Sequence, residues 1–128
     1  MNLTVQDIYN LNEGLIVVNE KDLPIKVALK LQRNSLKVNE EYNVASGIRR
    51  KIIDKYKDKK LDNGNVKIKK DKIEVYNKEI KELMEQDVKI ELEKINPSDL
   101  GETIKPRTLI LIDKILKEAS EDDSRDKK

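Results

Sequence analysis

The stretch from Pro24 to Tyr56 constrains this chain more than any other. Apolar or small residues recur there at Leu31, Ser35, Val38, Tyr42, Ala45, Ile48, Ile52 and Tyr56, at steps of three and four. That near-heptad spacing is the signature of a helix with one packed face. Pro24 suits its first turn, because proline has a fixed φ and no N–H to leave unpaired. A helix over this range is about 50 Å long at ~1.5 Å per residue. In so small a chain it must project, or be paired along its length. The sequence supplies one partner: Ile73, Tyr76, Ile80 and Leu83 form a second seam on a helix ending near Gln86. Asp71-Lys72-Ile73-Glu74 reads as its capping-box-like start. Between the two helices, Lys57 to Lys60 is a charge run. Leu61, Val66 and Ile68 then flank Asp62-Asn63-Gly64-Asn65, whose Asn-Gly pair tolerates positive φ and marks a tight turn or small β-hairpin. The expectation is an antiparallel, coiled-coil-like helical hairpin from Pro24 to Gln86.

Composition agrees with a thin aliphatic seam. Of 128 residues, 41% are charged and 37% apolar, and Phe and Trp are absent, so Ile, Leu and Val must build the core. One domain over residues 1–119 is expected, followed by a charged tail, 120–128, expected to be disordered.

The flanks add shorter elements. Thr4 and Asp7 are placed to cap a helix reciprocally, with Ile8, Leu11, Leu15 and Val18 on one face. Gly14 interrupts that helix at about 1 kcal/mol relative to Ala, and a continuous helix to about Val18 is expected. Val88, Ile90 and Leu92 alternate with Lys89, Glu91 and Glu93, the period of a half-buried strand. Its partner is open: Thr103-Ile104, Leu15–Val18, or a second copy. Asn96-Pro97-Ser98-Asp99 starts a one-turn helix closed by Gly101. Lys105-Pro106-Arg107-Thr108 then leads into a last helix with Leu109, Ile112, Ile115 and Leu116 buried.

Several function classes are excluded by residue type. The chain has no His and no Cys, so there is no imidazole base, no thiol nucleophile and no standard structural zinc site. Neither phosphate-binding glycine motif occurs. The carboxylates alternate with lysines along helices, as solvated faces do. No enzyme activity, cofactor or metal is expected. Net charge is +2, from 27 basic and 25 acidic residues, which is not the marked basic excess of a typical nucleic-acid-binding domain. The Lys, Asn and Ile enrichment also matches A/T-rich codon usage. No apolar run reaches membrane-spanning length and no signal peptide is evident, so a cytoplasmic location is expected.

Three residue groups remain as binding candidates. Thr103, Lys105, Arg107 and Thr108 surround a helix start and suit a small anion, with Arg49 or Arg50 and a tyrosine from a second subunit as further contributors. A basic tip gathers Lys55, Tyr56, Lys57, Lys59, Lys60, Lys67, Lys69 and Lys70. That suits nucleic acid, a nucleotide or an acidic protein surface. The third is the long helix over Ile25, Leu31, Val38 and Tyr42. The shorter partner helix cannot reach this stretch, leaving either the first helix to cover it or an interface with another chain.

Several stretches resemble a family of small uncharacterised proteins of tailed phages and prophages of low-G+C Gram-positive bacteria. They are Leu3-Thr4-Val5-Gln6-Asp7-Ile8-Tyr9, Leu23-Pro24-Ile25-Lys26-Val27-Ala28, Asp62-Asn63-Gly64-Asn65-Val66, Lys78-Glu79-Ile80-Lys81-Glu82-Leu83-Met84 and Val88-Lys89-Ile90. The resemblance runs to about Glu118. It implies a phage gene product acting in a bacterial cytoplasm or built into a particle there, and no activity or site residue.

The fold class expected is therefore mainly α: the helical hairpin, a minor β element and a short C-terminal helix. The leading function is an oligomeric, non-enzymatic phage protein that binds a host or virion protein through its helical seam. The alternatives are a small-molecule sponge that sequesters a nucleotide immune signal, and a nucleic-acid binder using the tip.

Overall fold

The computed structural model describes residues 1–58 and 67–117. The elements in chain order are β1 (Asn2–Thr4), α1 (Val5–Val18), α2 (Ile25–Tyr56), α3 (Ile73–Met84), β2 (Asp87–Lys89) and α4 (Pro106–Leu111). Single 3-10 turns lie at Lys70–Lys72, Pro97–Leu100 and Asp113–Ile115. The fold is mainly helical, with α1 and α3 packing on a long α2, a two-stranded sheet and a short last helix. The Asp62–Asn65 turn and the 120–128 tail lie outside the described residues.

Helix α1 starts where its cap dictates. The Asp7 N–H donates to Thr4 Oγ1 at 3.1 Å, and the Thr4 N–H donates to Asp7 Oδ2 at 3.0 Å, so two otherwise orphaned donors are satisfied. The face Ile8, Leu11, Leu15 and Val18 is buried. The helix runs unbroken through Gly14, whose missing side chain has a packing reason. A Cβ there would lie 2.5 Å from Ile112 Cγ2 and 2.9 Å from Leu111 Cβ. The chain turns through Asn19–Pro24, and this short connection makes α1 and α2 antiparallel neighbours.

Helix α2 is the spine, and two different sets of residues cover it. Its N-terminal half packs Val27, Leu31 and Val38 against the α1 face and against Ile90, Leu92 and Ile95. Its C-terminal half packs Ala45 and Ile52 against Leu83 and Met84 of α3. The helix-on-helix pairing expected with α3 is present, and Tyr56 meets Tyr76 edge-on at 6.5 Å between ring centroids. Of the two alternatives for this seam, the first helix covers it, so Leu31 and Val38 are not interface residues: they lie in the chain's own core, and Tyr42 is half-buried beside Tyr9. Of that group only Ile25 stands exposed. Burying such aliphatic side chains contributes about 1.5–3 kcal/mol each, so α1 covers this seam before any partner can. Ile48, placed on the seam by its spacing, is 45% exposed.

The strand expectation holds in part. Antiparallel pairing aligns Asn2 with Lys89, Leu3 with Val88 and Thr4 with Asp87. The partner of β2 is thus none of the three proposed from sequence. Three residues leading into a helix cap are too few to show a strand period. Past β2 the side chains still alternate, with Ile90 and Leu92 buried and Glu91 exposed, but the ladder ends.

Two smaller corrections concern helix ends. Helix α3 has no side-chain cap. Asp71 instead lies in the 3-10 turn before it, where the Lys72 N–H bonds the Lys69 carbonyl at 2.9 Å. Helix α4 ends at Leu111, so buried Ile112 and Ile115 sit in the turn beyond it. The Asn96-capped turn closes at Gly101 as expected, with φ +93°, a conformation only glycine adopts without strain. Beyond the end of α2, Lys57 and Ile68 form a single antiparallel bridge.

Candidate functional site

Gly14 lies where α1 meets the end of α4, beside a cleft between the two segments. Its missing side chain lets Leu111 and Ile112 approach α1 closely. The cleft, about 700 Å³, is lined by Glu13, Val17, Lys21, Thr103, Ile104, Lys105, Pro106, Arg107, Thr108 and Leu111. Its volume lies in the range of ordinary small-ligand sites. Two cross-links span it: Arg107 Nη2 to Glu13 Oε1 at 3.0 Å, and Lys21 Nζ to the Thr103 carbonyl at 2.6 Å. Thr103, Lys105, Arg107 and Thr108 are thus brought together as one wall. Arg49 and Arg50 are not part of it. The Arg49 guanidinium lies 5.6 Å from the Tyr9 ring centroid, and Arg50 is exposed elsewhere on α2.

The opposite side of α1 carries a different surface. A groove of about 280 Å³ between α1 and α2 is lined by Asn12, Leu15, Ile16, Asn19, Gln32, Ser35, Leu36 and Asn39. None of these is charged, in a chain that is 41% charged. Ile16 is 59% and Leu36 63% exposed. Asn19 Nδ2 donates to Ser35 Oγ across the groove at 2.7 Å. Toward the start of α2, exposed Leu29 and Ile25 continue the line. Residues 25, 29, 32, 36 and 39 recur at steps of four and three, a second stripe on the same helix. The buried seam masked it, because both stripes share one period. Its signal was apolar residues lying off the packed face: Ile25, Leu29 and Leu36 on α2, Ile16 on α1.

The basic tip is electrically mixed. Lys55 Nζ lies 3.1 Å from Glu79 Oε1 and 5.0 Å from the Tyr56 ring centroid. The Tyr56 hydroxyl hydrogen-bonds the same carboxylate. The Tyr56 hydroxyl and then Lys55 hold Glu79 below the usual carboxylate range. Glu79 and Tyr56 in turn raise Lys55. Lys57 pairs with Asp54 at 3.1 Å. Lys67, Lys69 and Lys70 are exposed around a shallow hollow shared with Asp58 and Asp71. Lys59 and Lys60 lie outside the described residues.

Among the described residues, no cluster of three or more acidic side chains is placed to hold a metal ion. Among them also, no helix is long and apolar enough to cross a membrane. No protein-family model, curated protein or solved structure matches this chain.

Proposed function

We propose that this chain is a non-enzymatic interaction protein of the tailed-phage kind that its sequence resembles, and that it associates through the α1–α2 groove. The observation that carries the reading is the uncharged groove itself, with Ile16 and Leu36 exposed in it. Charge depletion around exposed apolar side chains is the composition of an interface centre rather than of ordinary surface.

The first occupant is a second copy. Groove residues Asn12, Asn19, Gln32 and Asn39 carry carboxamides, which both donate and accept hydrogen bonds. Such a surface is complementary to itself, whereas a charged one would meet its own sign across a two-fold axis. Ile25, Leu29 and Leu36 would extend the contact along α2. In the phage setting, the assembled protein then engages a host factor or a virion component in the bacterial cytoplasm.

Sedimentation velocity from micromolar to submillimolar protein tests this. The expected result is a concentration-dependent dimer that Leu36→Glu and Ile16→Glu each convert to monomer. Both side chains are exposed, so circular-dichroism melts should stay near wild type. A wild-type chain that remains monomeric throughout overturns the reading.

A further inference from the structure

We propose that the α1–α4 cleft binds a small amphipathic anion, a carboxylate with an aliphatic body. This rests on different residues from the docking groove and stands independently of it.

The lining sets the chemistry. Val17, Ile104 and Leu111 supply an aliphatic wall. No aromatic side chain faces the cleft: all four tyrosines lie elsewhere, Tyr9 and Tyr42 against each other and Tyr56 against Tyr76. Stacking of a nucleobase normally uses such rings, so this wall fits a flexible hydrocarbon better than a base.

Charge fixes the other end of the ligand. Four ionisable side chains reach the cleft, and Arg107 pairs with Glu13. Lys21 and Lys105 have no carboxylate partner among the described residues. Lys21 is already oriented by its bond to the Thr103 carbonyl, which leaves its charge uncompensated. An anionic head group would supply the missing countercharge, through charge-assisted hydrogen bonds.

Thr108 is the second, independent pointer. It is 4% exposed and lines the cleft, yet its hydroxyl has no hydrogen-bond partner among the described residues. It is also not a sealed polar atom, because none without a partner is found there. The hydroxyl therefore keeps access to solvent on a residue that lines the cleft, free to hydrogen-bond a ligand atom there.

Titration with decanoate, followed by amide NMR spectra of the full chain, tests the site. Saturable shifts should be confined to residues around Val17–Lys21 and Thr103–Leu111, and decanol should bind more weakly. Lys105→Gln, at an exposed position, should weaken decanoate by at least about tenfold, the scale of a lost charged hydrogen bond. Thr108→Val, which keeps the shape, should weaken it several-fold while leaving the melt unchanged. The site is overturned by absence of saturable shifts, by equal binding of decanol, or by an unaffected Lys105→Gln. Shifts centred on Ile16 and Leu36 would also overturn it, by moving the ligand to the other groove.

Discussion

Asn34 and Glu93 exchange two hydrogen bonds. Asn34 Nδ2 donates to the Glu93 carbonyl at 2.8 Å, and the Glu93 N–H donates to Asn34 Oδ1 at 2.8 Å. A side-chain amide of α2 thus takes the place of a neighbouring strand, just where the β1–β2 ladder has ended. Asn34 is 1% exposed and Glu93 half-buried, so water is poorly placed to replace either bond. Asn34→Leu leaves the Glu93 N–H and carbonyl unsatisfied, at about 1–3 kcal/mol for each group. The melting temperature should fall by roughly 10 °C, since about 4 °C accompanies each kcal/mol in a domain of this size. Asn34→Asp should be at least as damaging, because its carboxylate faces the Glu93 carbonyl oxygen. Thermal denaturation of the two variants checks both statements.

Gly14 and Gly47 should respond to alanine with opposite sign. Both lie within helices, where Ala is intrinsically better by about 1 kcal/mol. At Gly47 nothing lies within 4 Å of an added Cβ, so Gly47→Ala should stabilise by roughly that amount. At Gly14 the added carbon meets Ile112 Cγ2 and the Leu111 Cβ. Overpacking there should cost about 1–3 kcal/mol and outweigh the helical gain. Ile112→Ala removes the offending methyl, so the double variant should be less destabilised than the two single changes added together. Urea melts of the four proteins measure this. Additive losses would mean that α1 and α4 are not in the contact described.

These residues also show what a sequence can and cannot reveal. The Thr4–Asp7 box, the α2 periodicity and the Asn96–Gly101 turn were legible because each is decided within a few residues. Asn34 was not, because a polar residue between Arg33 and Ser35 reads as solvated until a backbone 59 positions away meets it. The anion cluster Thr103–Thr108 was legible as a local group of cations and hydroxyls. Its other wall was not, because Glu13, Val17 and Lys21 arrive from α1, with Lys21 and Thr103 separated by 82 positions. The covered part of α2 followed the same rule. Its apolar face was evident from spacing, but which element covers Leu31 and Val38 is a tertiary choice that spacing does not encode.

Acid should weaken the fold through two half-buried carboxylates, Glu93 and Glu79. The Arg33 side chain, donating to both carboxylate oxygens, holds Glu93 below its ordinary range. The Tyr56 hydroxyl and Lys55 do the same for Glu79. A depressed carboxylate contributes stability that is fully present above its unfolded value, around pH 4, and is lost as pH falls through the lower folded value. Chemical denaturation midpoints should therefore drop on acidification from about pH 5 downward. Glu93→Gln and Glu79→Gln should each flatten that decline, and added salt should shrink the difference, because the cation of each pair, Arg33 or Lys55, is solvent-exposed. Lys55 is raised, so its contribution is complete below its unfolded value and fades only as strongly alkaline pH passes the folded one.

The hairpin tip should bind nucleic acid poorly despite its lysines. Lys55 and Lys57 are engaged by Glu79 and Asp54, which leaves less cationic charge to displace counterions from a phosphate backbone. Tyr56 is unsuited to base stacking, with its ring set edge-on to Tyr76 and its hydroxyl committed to Glu79. Fluorescence anisotropy with a labelled single-stranded oligonucleotide should show no saturable binding at physiological salt, and only weak binding at low salt. Glu79→Gln removes the carboxylate that neutralises Lys55, so it should strengthen the low-salt signal and steepen its salt dependence. Tight binding by the wild type, lost on Lys67→Gln with Lys69→Gln, would instead make the tip the functional surface and displace the α1–α2 groove from that role.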